Sequence, residues 1–200
     1  GNGLVISQGD DWVKQRRWSA PFFLKGHYPA YIQIMNEEAE ATIAKWKKDT
    51  LGNAPINMVP DLNRLTFRVL CRCVLGSVLD RFLDDLYVEI NNSVYLLPKR
   101  IFSPIRTSLN VPLPTNLKIR KSSNHYRKTI EAIIDSYKAT NQGDSYGLLG
   151  HLLKQPDISR KEMVDMIAAM VAAGFETTAN LLSWVFALIA DHQDVQSRLR

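Results

Sequence analysis

The chain has 200 residues, 46% of them hydrophobic, and carries a formal net charge of +5. Such a length and apolar content are typical of one domain with a sizeable core, so a second domain is not required. The sequence contains neither a low-complexity stretch nor an internal repeat, which excludes the disordered and solenoid classes of protein.

Helical periodicity runs through nearly the whole chain, and strand signals are nearly absent. The helical patterns cover roughly 10–20, 29–49, 60–76, 80–96, 115–140, 144–154 and 160–190, and a last helix starts near Asp194. The sequence therefore predicts an all-α fold built round one long central helix.

The first helical pattern carries a tryptophan and an arginine on one face. Trp12 and Arg16 are four residues apart, so their side chains can reach one partner together. The alternative is a simple surface contact between a cation and an aromatic ring.

The two cysteines of the chain lie in the predicted helix over 60–76. Cys71 and Cys73 are two residues apart and therefore point in different directions, which argues against a shared metal site or a disulfide between them. The four histidines are scattered and complete no zinc pattern. We interpret both cysteines as structural, partly buried thiols.

The positive charge is concentrated in one segment. Between Ile90 and Ile130 the sequence has eight Lys or Arg residues and no acid, and four prolines predict that part of it is a loop. A basic segment can bind nucleic acid, but no aromatic platform or known motif accompanies this one, so nucleic acid is not an expected partner. The simplest interpretation is a solvated basic loop and helix.

The longest helical pattern begins at Ser159 and ends near Ala190. Ser159 and Glu162 have the spacing of a capping box, which marks the start of a helix. Apolar residues follow on every face, which predicts burial on all sides. A transmembrane span is the alternative, but Glu176 and Asn180 near its centre would be costly in hydrocarbon.

The centre of this helix, residues 173–178, contains residues that an ordinary helix avoids. Glycine and β-branched threonine both lower helix propensity, and such conflicts concentrate at functional sites. Thr177 can donate its hydroxyl to the carbonyl of Ala173, a bond that bends helices and opens space beside Gly174. With Glu176 alongside, the segment suits a small polar ligand or a proton relay.

Two motifs make the chain resemble the cytochrome P450 family of haem-thiolate monooxygenases. Residues 173–178 match the Ala/Gly-Gly-x-Asp/Glu-Thr-Thr/Ser pattern of that family's oxygen-activating helix, and residues 9–16 match its Gly-x-x-Trp-x-x-x-Arg helix. The resemblance implies one partial domain over 1–200, from the third helix of the family to the start of the helix after the oxygen helix. The Glu-x-x-Arg pair and the Cys loop that binds iron are expected after residue 200, outside this chain.

The resemblance also implies the chemistry. The complete protein would insert one atom of dioxygen into an apolar small organic substrate, using b-type haem and electrons from NAD(P)H delivered through a ferredoxin or a flavoprotein reductase. The fragment alone is expected to be inactive. The implied catalytic residues are Glu176 and Thr177. The implied haem contacts are Trp12, Arg16, Ala173 and Gly174, with Arg16 and Trp12 on a propionate. The implied substrate pocket includes Ala169 and Ala172.

The resemblance implies two further surfaces. Residues 98–118 fall where the family has the loop between its lid helices, which touches lipid in membrane-bound members. Lys14 and Arg17 fall where an electron-transfer partner docks. The expected location is cytoplasmic for a bacterial source and the cytosolic face of a membrane for a eukaryotic one. Two alternatives stay open: a helical binding protein without catalysis, and a membrane-embedded protein.

Overall fold

The computed structural model describes residues 2–49, 55–76, 82–102, 108–140 and 146–199, with the backbone alone at 93, 94 and 97. Over these residues the chain forms eight α-helices and no strand, which confirms the all-α prediction. The helices are α1 (Gly9–Ser19), α2 (Tyr28–Asp49), α3 (Met58–Leu75), α4 (Leu83–Ile101), α5 (Pro114–Thr140), α6 (Leu148–Leu153), α7 (Arg160–Asp191) and α8 (Gln193–Leu199). Two short 3-10 turns, Ala20–Phe23 and Lys25–His27, connect α1 to α2.

The predicted capping box at the start of α7 is confirmed. The Ser159 hydroxyl accepts a hydrogen bond from the Glu162 backbone N–H at 3.2 Å, and the Glu162 carboxylate accepts one from the Ser159 N–H at 2.8 Å. These two bonds satisfy backbone donors that the first turn of a helix leaves without partners. They fix where the longest helix of the described residues begins.

Helices α3 and α7 pack against each other in the centre of the core. Phe67 of α3 and Phe175 of α7 are each 1% exposed, and their rings meet edge to face with centroids 5.5 Å apart. The Thr66 hydroxyl, also buried, lies 3.0 Å from the Phe175 carbonyl oxygen and donates to it across the two helices. Each fully buried aromatic side chain stabilises the fold by about 1.5–3 kcal/mol, so this contact fixes the middle of α7.

A buried carboxylate joins the N-terminal segment, α5 and α7. Asp165 of α7 pairs with Arg127 of α5 and accepts a hydrogen bond from the Asn2 N–H at 3.0 Å. Burial alone would raise the pKa of Asp165, but the bonds from Asn2 and Arg127 outweigh it and hold that pKa below its usual value. The ionised form of Asp165 is therefore part of the folded state.

The expectation that α7 is buried on all sides is wrong for its C-terminal half. Leu181, Trp184 and Leu188 are 63%, 67% and 57% exposed. The described residues cover the N-terminal half of α7 and only one flank of the rest, where Trp46 meets Phe186 edge to face. Periodicity shows that the apolar face of a helix must be buried, but it does not show which part of a protein buries it.

By length and composition, α7 is also long and apolar enough to span a membrane, a property that it shares with the core helices of other proteins.

The predicted loop in the basic segment is shorter than the four prolines suggested. Pro98 lies inside α4, in its last turn, and Pro114 is the first residue of α5. Proline is well tolerated at the first position of a helix, because the N–H it lacks would have no partner there. Helix α4 thus ends at Ile101 and α5 begins at Pro114. Pro104 and Arg106, which belong to the same predicted segment, lie outside the described residues.

Candidate functional site

The two threonines at the centre of α7 both bond back to the helix. The Thr177 hydroxyl donates to the Ala173 carbonyl at 3.1 Å, which confirms the predicted back-bond, and the Thr178 hydroxyl donates to the Gly174 carbonyl at 3.0 Å. Both side chains are exposed. A back-bonded hydroxyl keeps its oxygen lone pairs available, so it can still accept a hydrogen bond from a ligand.

Five of the predicted site residues lie together on one face of α7. The spacing of three and four residues places them in adjacent rows along the helix. Ala172, Ala173 and Thr177 are exposed, whereas Ala169 and Glu176 are half-buried. The Glu176 carboxylate accepts no hydrogen bond from the described residues. This face presents small side chains beside one carboxylate and one hydroxyl, an arrangement that leaves space for a flat or bulky partner.

Gly174 does not belong to that face. A Cβ atom built at Gly174 would lie 2.8 Å from Cδ2 of Leu70 in α3, so the absence of a side chain lets α3 approach α7 closely. The space expected beside Gly174 is therefore filled on this flank by Leu70. The predicted haem contact of Gly174 stays a prediction, and the structure gives the glycine a packing role as well.

The same flank of α7 borders an apolar cavity of about 460 Å³. Gly174, Thr178 and Leu182 line it from α7, and aromatic and aliphatic side chains of α2 and α3 line it opposite. Thr178 thus lies at an apolar cavity, while Thr177 lies on the face that carries Glu176. The two adjacent threonines have the same internal bond but different surroundings.

Trp12 and Arg16 lie on the outer face of α1, as their spacing predicts. Trp12 is 44% exposed, and the guanidinium of Arg16, also exposed, makes no hydrogen bond or ion pair with any residue in the described ranges. The opposite face anchors α1. Lys14 lies 3.4 Å from the Glu162 carboxylate, and the buried Trp18 donates its indole N–H to Asp157 at 3.1 Å. Arg16 is thus an unpaired cation on the same face as the Trp12 ring, and the opposite face fixes α1 in place. Such an arginine suits an anionic partner.

The two cysteines are buried, as interpreted from the sequence. Cys71 is 0% and Cys73 5% exposed, both inside the core. Burial raises the pKa of the Cys71 thiol far above its usual value and that of Cys73 to about 11. Both are therefore protonated near neutral pH, and the thiolate that binds a metal is not available from either.

The basic segment presents apolar side chains near its cations. Leu109, Val111, Leu113 and Leu117 are each 40–49% exposed. Asn116, 2% exposed, orders the segment: its amide donates to the carbonyls of Ser108 and Val111 at 3.1 and 2.9 Å. The loop between α4 and α5 is thus held in a defined shape where it is described.

Sequence reasoning missed the partners that hold α7 from the side. Thr66, Leu70 and Arg127 contact Phe175, Gly174 and Asp165 respectively, each across at least 38 residues of chain. Their residue types are ordinary for amphipathic helices. One signal was available in the sequence: Thr66 and Asp165 are polar residues on otherwise apolar helix faces. A polar residue buried in that way needs a hydrogen-bond partner.

A family model described as "Cytochrome P450" matches residues 1–200. Pentalenene oxygenase of Streptomyces avermitilis is 27% identical over 209 residues, which cover 100% of this chain and 44% of that protein. Echinocystic acid 23-monooxygenase of Saponaria officinalis is 30% identical over 220 residues, covering 99% of this chain and 42% of that protein. The chain thus spans less than half the length of these relatives.

Two solved structures have the same fold as this chain. The retinoic acid-bound cyanobacterial CYP120A1 superposes with a TM-score of 0.76 at 23% identity, covering 98% of this chain and 44% of that one. The haem domain of cytochrome P450DA superposes with a TM-score of 0.80 at 21% identity, covering 99% of this chain and 45% of that one.

Proposed function

This chain belongs to the cytochrome P450 family, and from that premise we propose that the complete protein is a haem-dependent monooxygenase. It would insert one oxygen atom from dioxygen into an apolar small organic substrate. The observation that carries the proposal is the single face of α7 that presents Ala169, Ala172, Ala173, Glu176 and Thr177. Neither rival interpretation, a non-catalytic helical binding protein or a membrane-embedded protein, accounts for a carboxylate and a hydroxyl side by side on that face.

The residues of this chain fit part of a haem site. Arg16 supplies an unpaired, permanently charged guanidinium with Trp12 beside it, which suits a propionate carboxylate. The alanines of α7 leave room for a flat macrocycle and for a substrate. The thiolate ligand would come from outside these residues, because Cys71 and Cys73 are buried thiols in the core. When bound, haem iron supplies the activation of dioxygen, and the protein supplies placement and protons.

Thr177 and Glu176 would manage protons in this site. The Thr177 hydroxyl is held by the Ala173 carbonyl at 3.1 Å, so its oxygen stays in one place and can exchange a proton with a ligand on the same face. Glu176 lies one position earlier, half-buried and without a partner among the described residues. A carboxylate at the border between protein and solvent can take up a proton and pass it inward, as in general acid–base catalysis.

The substrate and the electron donor belong to the same proposal. The related proteins carry names such as pentalenene oxygenase and 11-oxo-beta-amyrin 30-oxidase, which supports an apolar small molecule as the substrate here. Electrons would come from NAD(P)H through a ferredoxin or flavoprotein reductase. Lys14 and Arg17 on α1 would contribute to the docking surface. Each has one acidic neighbour: Lys14 lies 3.4 Å from Glu162, and Arg17, with its side chain 72% exposed, lies 3.7 Å from Asp157.

Membrane contact through residues 98–118 is part of the proposal as well. The exposed leucine and valine side chains of 109–117, next to Lys118, would enter the headgroup region while the cation meets anionic lipid. If the source is eukaryotic, we expect this contact and a location at the cytosolic face of a membrane. If the source is bacterial, we expect a cytoplasmic protein.

The proposed function is tested on the complete protein purified with haem. The reduced protein should form the thiolate-type carbon monoxide complex, and turnover under isotopically labelled dioxygen should place one labelled atom in the product. Glu176→Gln serves as the matched variant, because it keeps the size of the side chain and removes only its proton chemistry. A haem protein that incorporates no label into any apolar substrate would contradict the monooxygenase assignment.

A further inference from the structure

A second cleft lies between α4 and α5, and no residue of α7 lines it. Its volume is about 530 Å³. One wall belongs to α4 and the other to α5, and the proposed oxygen chemistry uses neither. The lining residues are Glu89, Asn92, Tyr95, Leu96, Lys118, Lys121, Ser122 and His125.

Buried hydrogen bonds hold the two walls of the cleft together. The Ser122 hydroxyl, 6% exposed, donates to the Glu89 carboxylate at 2.6 Å. Further along the helices, Arg100 of α4 donates to the side-chain oxygen of the buried Asn116 of α5 at 2.8 Å. In each bond one partner, Ser122 or Asn116, is buried and the other is half-buried. Breaking such a bond is costly, because it leaves the buried donor or acceptor unsatisfied. The cleft is therefore a fixed feature of the helix pair.

The wall formed by α5 carries unpaired positive charge. Lys118 and Lys121 are three residues apart on one face, about 5–6 Å between their Cβ atoms at that spacing, and His125 follows one turn later. All three side chains are exposed, and none has a hydrogen bond or ion pair with any residue in the described ranges. The acid in the lining, Glu89, is already bonded to Ser122. No acid occurs anywhere in the sequence from 91 to 130.

The wall formed by α4 adds hydrogen-bonding groups and an apolar surface. Asn92 offers an amide, and Tyr95 offers a phenol whose oxygen accepts a bond from Lys99 at 2.6 Å. The Lys99 ammonium also lies 3.9 Å from the centre of the Tyr95 ring, so a third cation stands at the edge of the cleft. Leu96 and the Tyr95 ring supply apolar contact for whatever carries the anion.

We propose that the cleft between α4 and α5 binds a phosphate group, on a soluble phosphate ester or on a lipid headgroup. Lysine ammonium groups bind phosphate as point charges with several donors each, whereas a planar carboxylate is better matched by arginine. Two unpaired lysines and the amide of Asn92 can donate to the oxygens of one tetrahedral dianion. None of the lining residues belongs to α7 or to the apolar side chains of 109–117, and Lys118 is shared with the proposed membrane contact.

The test uses the complete holoprotein and two probes. Calorimetric titration with inorganic phosphate, at constant ionic strength, measures the affinity of the site for the bare anion. Sedimentation with phosphatidylcholine vesicles, with and without phosphatidic acid, measures recruitment by a phosphate headgroup. The variant Lys118→Gln/Lys121→Gln removes both charges. The matched control is Arg120→Gln/Lys138→Gln, which removes two charges from the same helix without touching the cleft.

We expect the Lys118→Gln/Lys121→Gln variant to lose about threefold to thirtyfold in affinity for at least one probe, the range that two exposed charge contacts span. The control variant should stay close to wild type. Loss with inorganic phosphate alone identifies a soluble ester as the source. Because Lys118 also belongs to the proposed membrane contact, Lys121→Gln is measured by itself as well, and its loss with phosphatidic acid vesicles alone identifies a lipid headgroup in the cleft. An equal loss in both variants, or no binding of either probe by the wild type, would overturn the proposal.

Discussion

The substitution Thr177→Ala tests whether the Thr177 hydroxyl serves proton delivery or only the stability of the fold. The Thr177 hydroxyl is exposed and has one hydrogen bond among the described residues, to the Ala173 carbonyl at 3.1 Å. Such an exposed back-bond stabilises by at most about 1 kcal/mol, and alanine gains about 0.5 kcal/mol over threonine in helix propensity. The two terms nearly cancel, so Thr177→Ala should leave the melting temperature and substrate affinity of the complete protein almost unchanged.

The catalytic effect of Thr177→Ala should be large. Without the hydroxyl, the positioned proton needed to split the O–O bond would not be delivered, while electrons would continue to arrive. Dioxygen would then take two electrons and two protons from solvent and leave as hydrogen peroxide. Positioned proton transfer typically contributes about 10²–10⁴-fold to a rate, so the ratio of product formed to NAD(P)H consumed should fall by about tenfold or more. The assay measures product, NAD(P)H and peroxide in the same reaction.

Thr178→Ala is the matched control for this experiment. Thr178 has the same type of back-bond, to the Gly174 carbonyl at 3.0 Å, and is also exposed, but it lines the apolar cavity next to α3. Its replacement should keep wild-type coupling. If Thr177→Ala stayed fully coupled, or if Thr178→Ala lost as much, the face of α7 would not determine proton delivery and the reasoning would be refuted.

Three further outcomes follow from the structure. Arg16→Ala should lower haem occupancy of the purified complete protein by removing a charge-assisted partner worth about 1.5–3 kcal/mol; unchanged occupancy would leave Arg16 as a surface residue. Glu176→Gln should slow turnover without reducing haem content, because an amide does not relay protons, and a wild-type rate in stopped-flow and steady-state assays would exclude that role. Asp165→Asn should destabilise by about 2 kcal/mol near neutral pH, since it breaks a buried pair with the partly exposed Arg127. The folded pKa of Asp165 lies below its unfolded value, so this stabilisation is present above the unfolded pKa and is lost as the pH falls through the folded one. Denaturation curves of wild type and variant should therefore converge in acid, and a constant difference would contradict the assignment.

Local signals in the sequence predicted most of the helices and two of their internal hydrogen bonds. The capping box at Ser159 and the back-bond of Thr177 depend on residues three or four positions apart, so their geometry is fixed once a helix forms. The common face of Trp12 and Arg16 follows from the same spacing. The resemblance to the family then implied functional roles for these residues, which their spacing alone does not indicate.

Contacts between distant segments could not be predicted from the sequence. Nothing local to Gly174 indicates that Leu70 occupies the space beside it. The apolar pattern after Phe175 indicated that α7 needs cover, yet Trp184 is 67% exposed because the described helices pack elsewhere. The prolines of the basic segment predict a break at Pro98, but it lies in the last turn of α4, where the helix ends. Each error concerns which surfaces meet, a property of tertiary packing.

The bond between Thr66 and the Phe175 carbonyl has a consequence for the order in which the chain assembles. It closes a loop of 109 residues, whereas Ser122 meets Glu89 across 33 residues and Arg68 meets Glu38 across 30. Closing the longer loop costs about 1 kcal/mol more in chain entropy. We expect the pairs α4–α5 and α2–α3 to form first on refolding. Arg127 joins α5 to the start of α7 across only 38 residues, so the step expected last is the packing of the centre of α7 against α3. Pulsed hydrogen exchange would then protect amides of α5 before those at the centre of α7, and the opposite order would contradict this sequence of events. The face that carries Glu176 and Thr177 would be completed only in the final step, onto helices already in place.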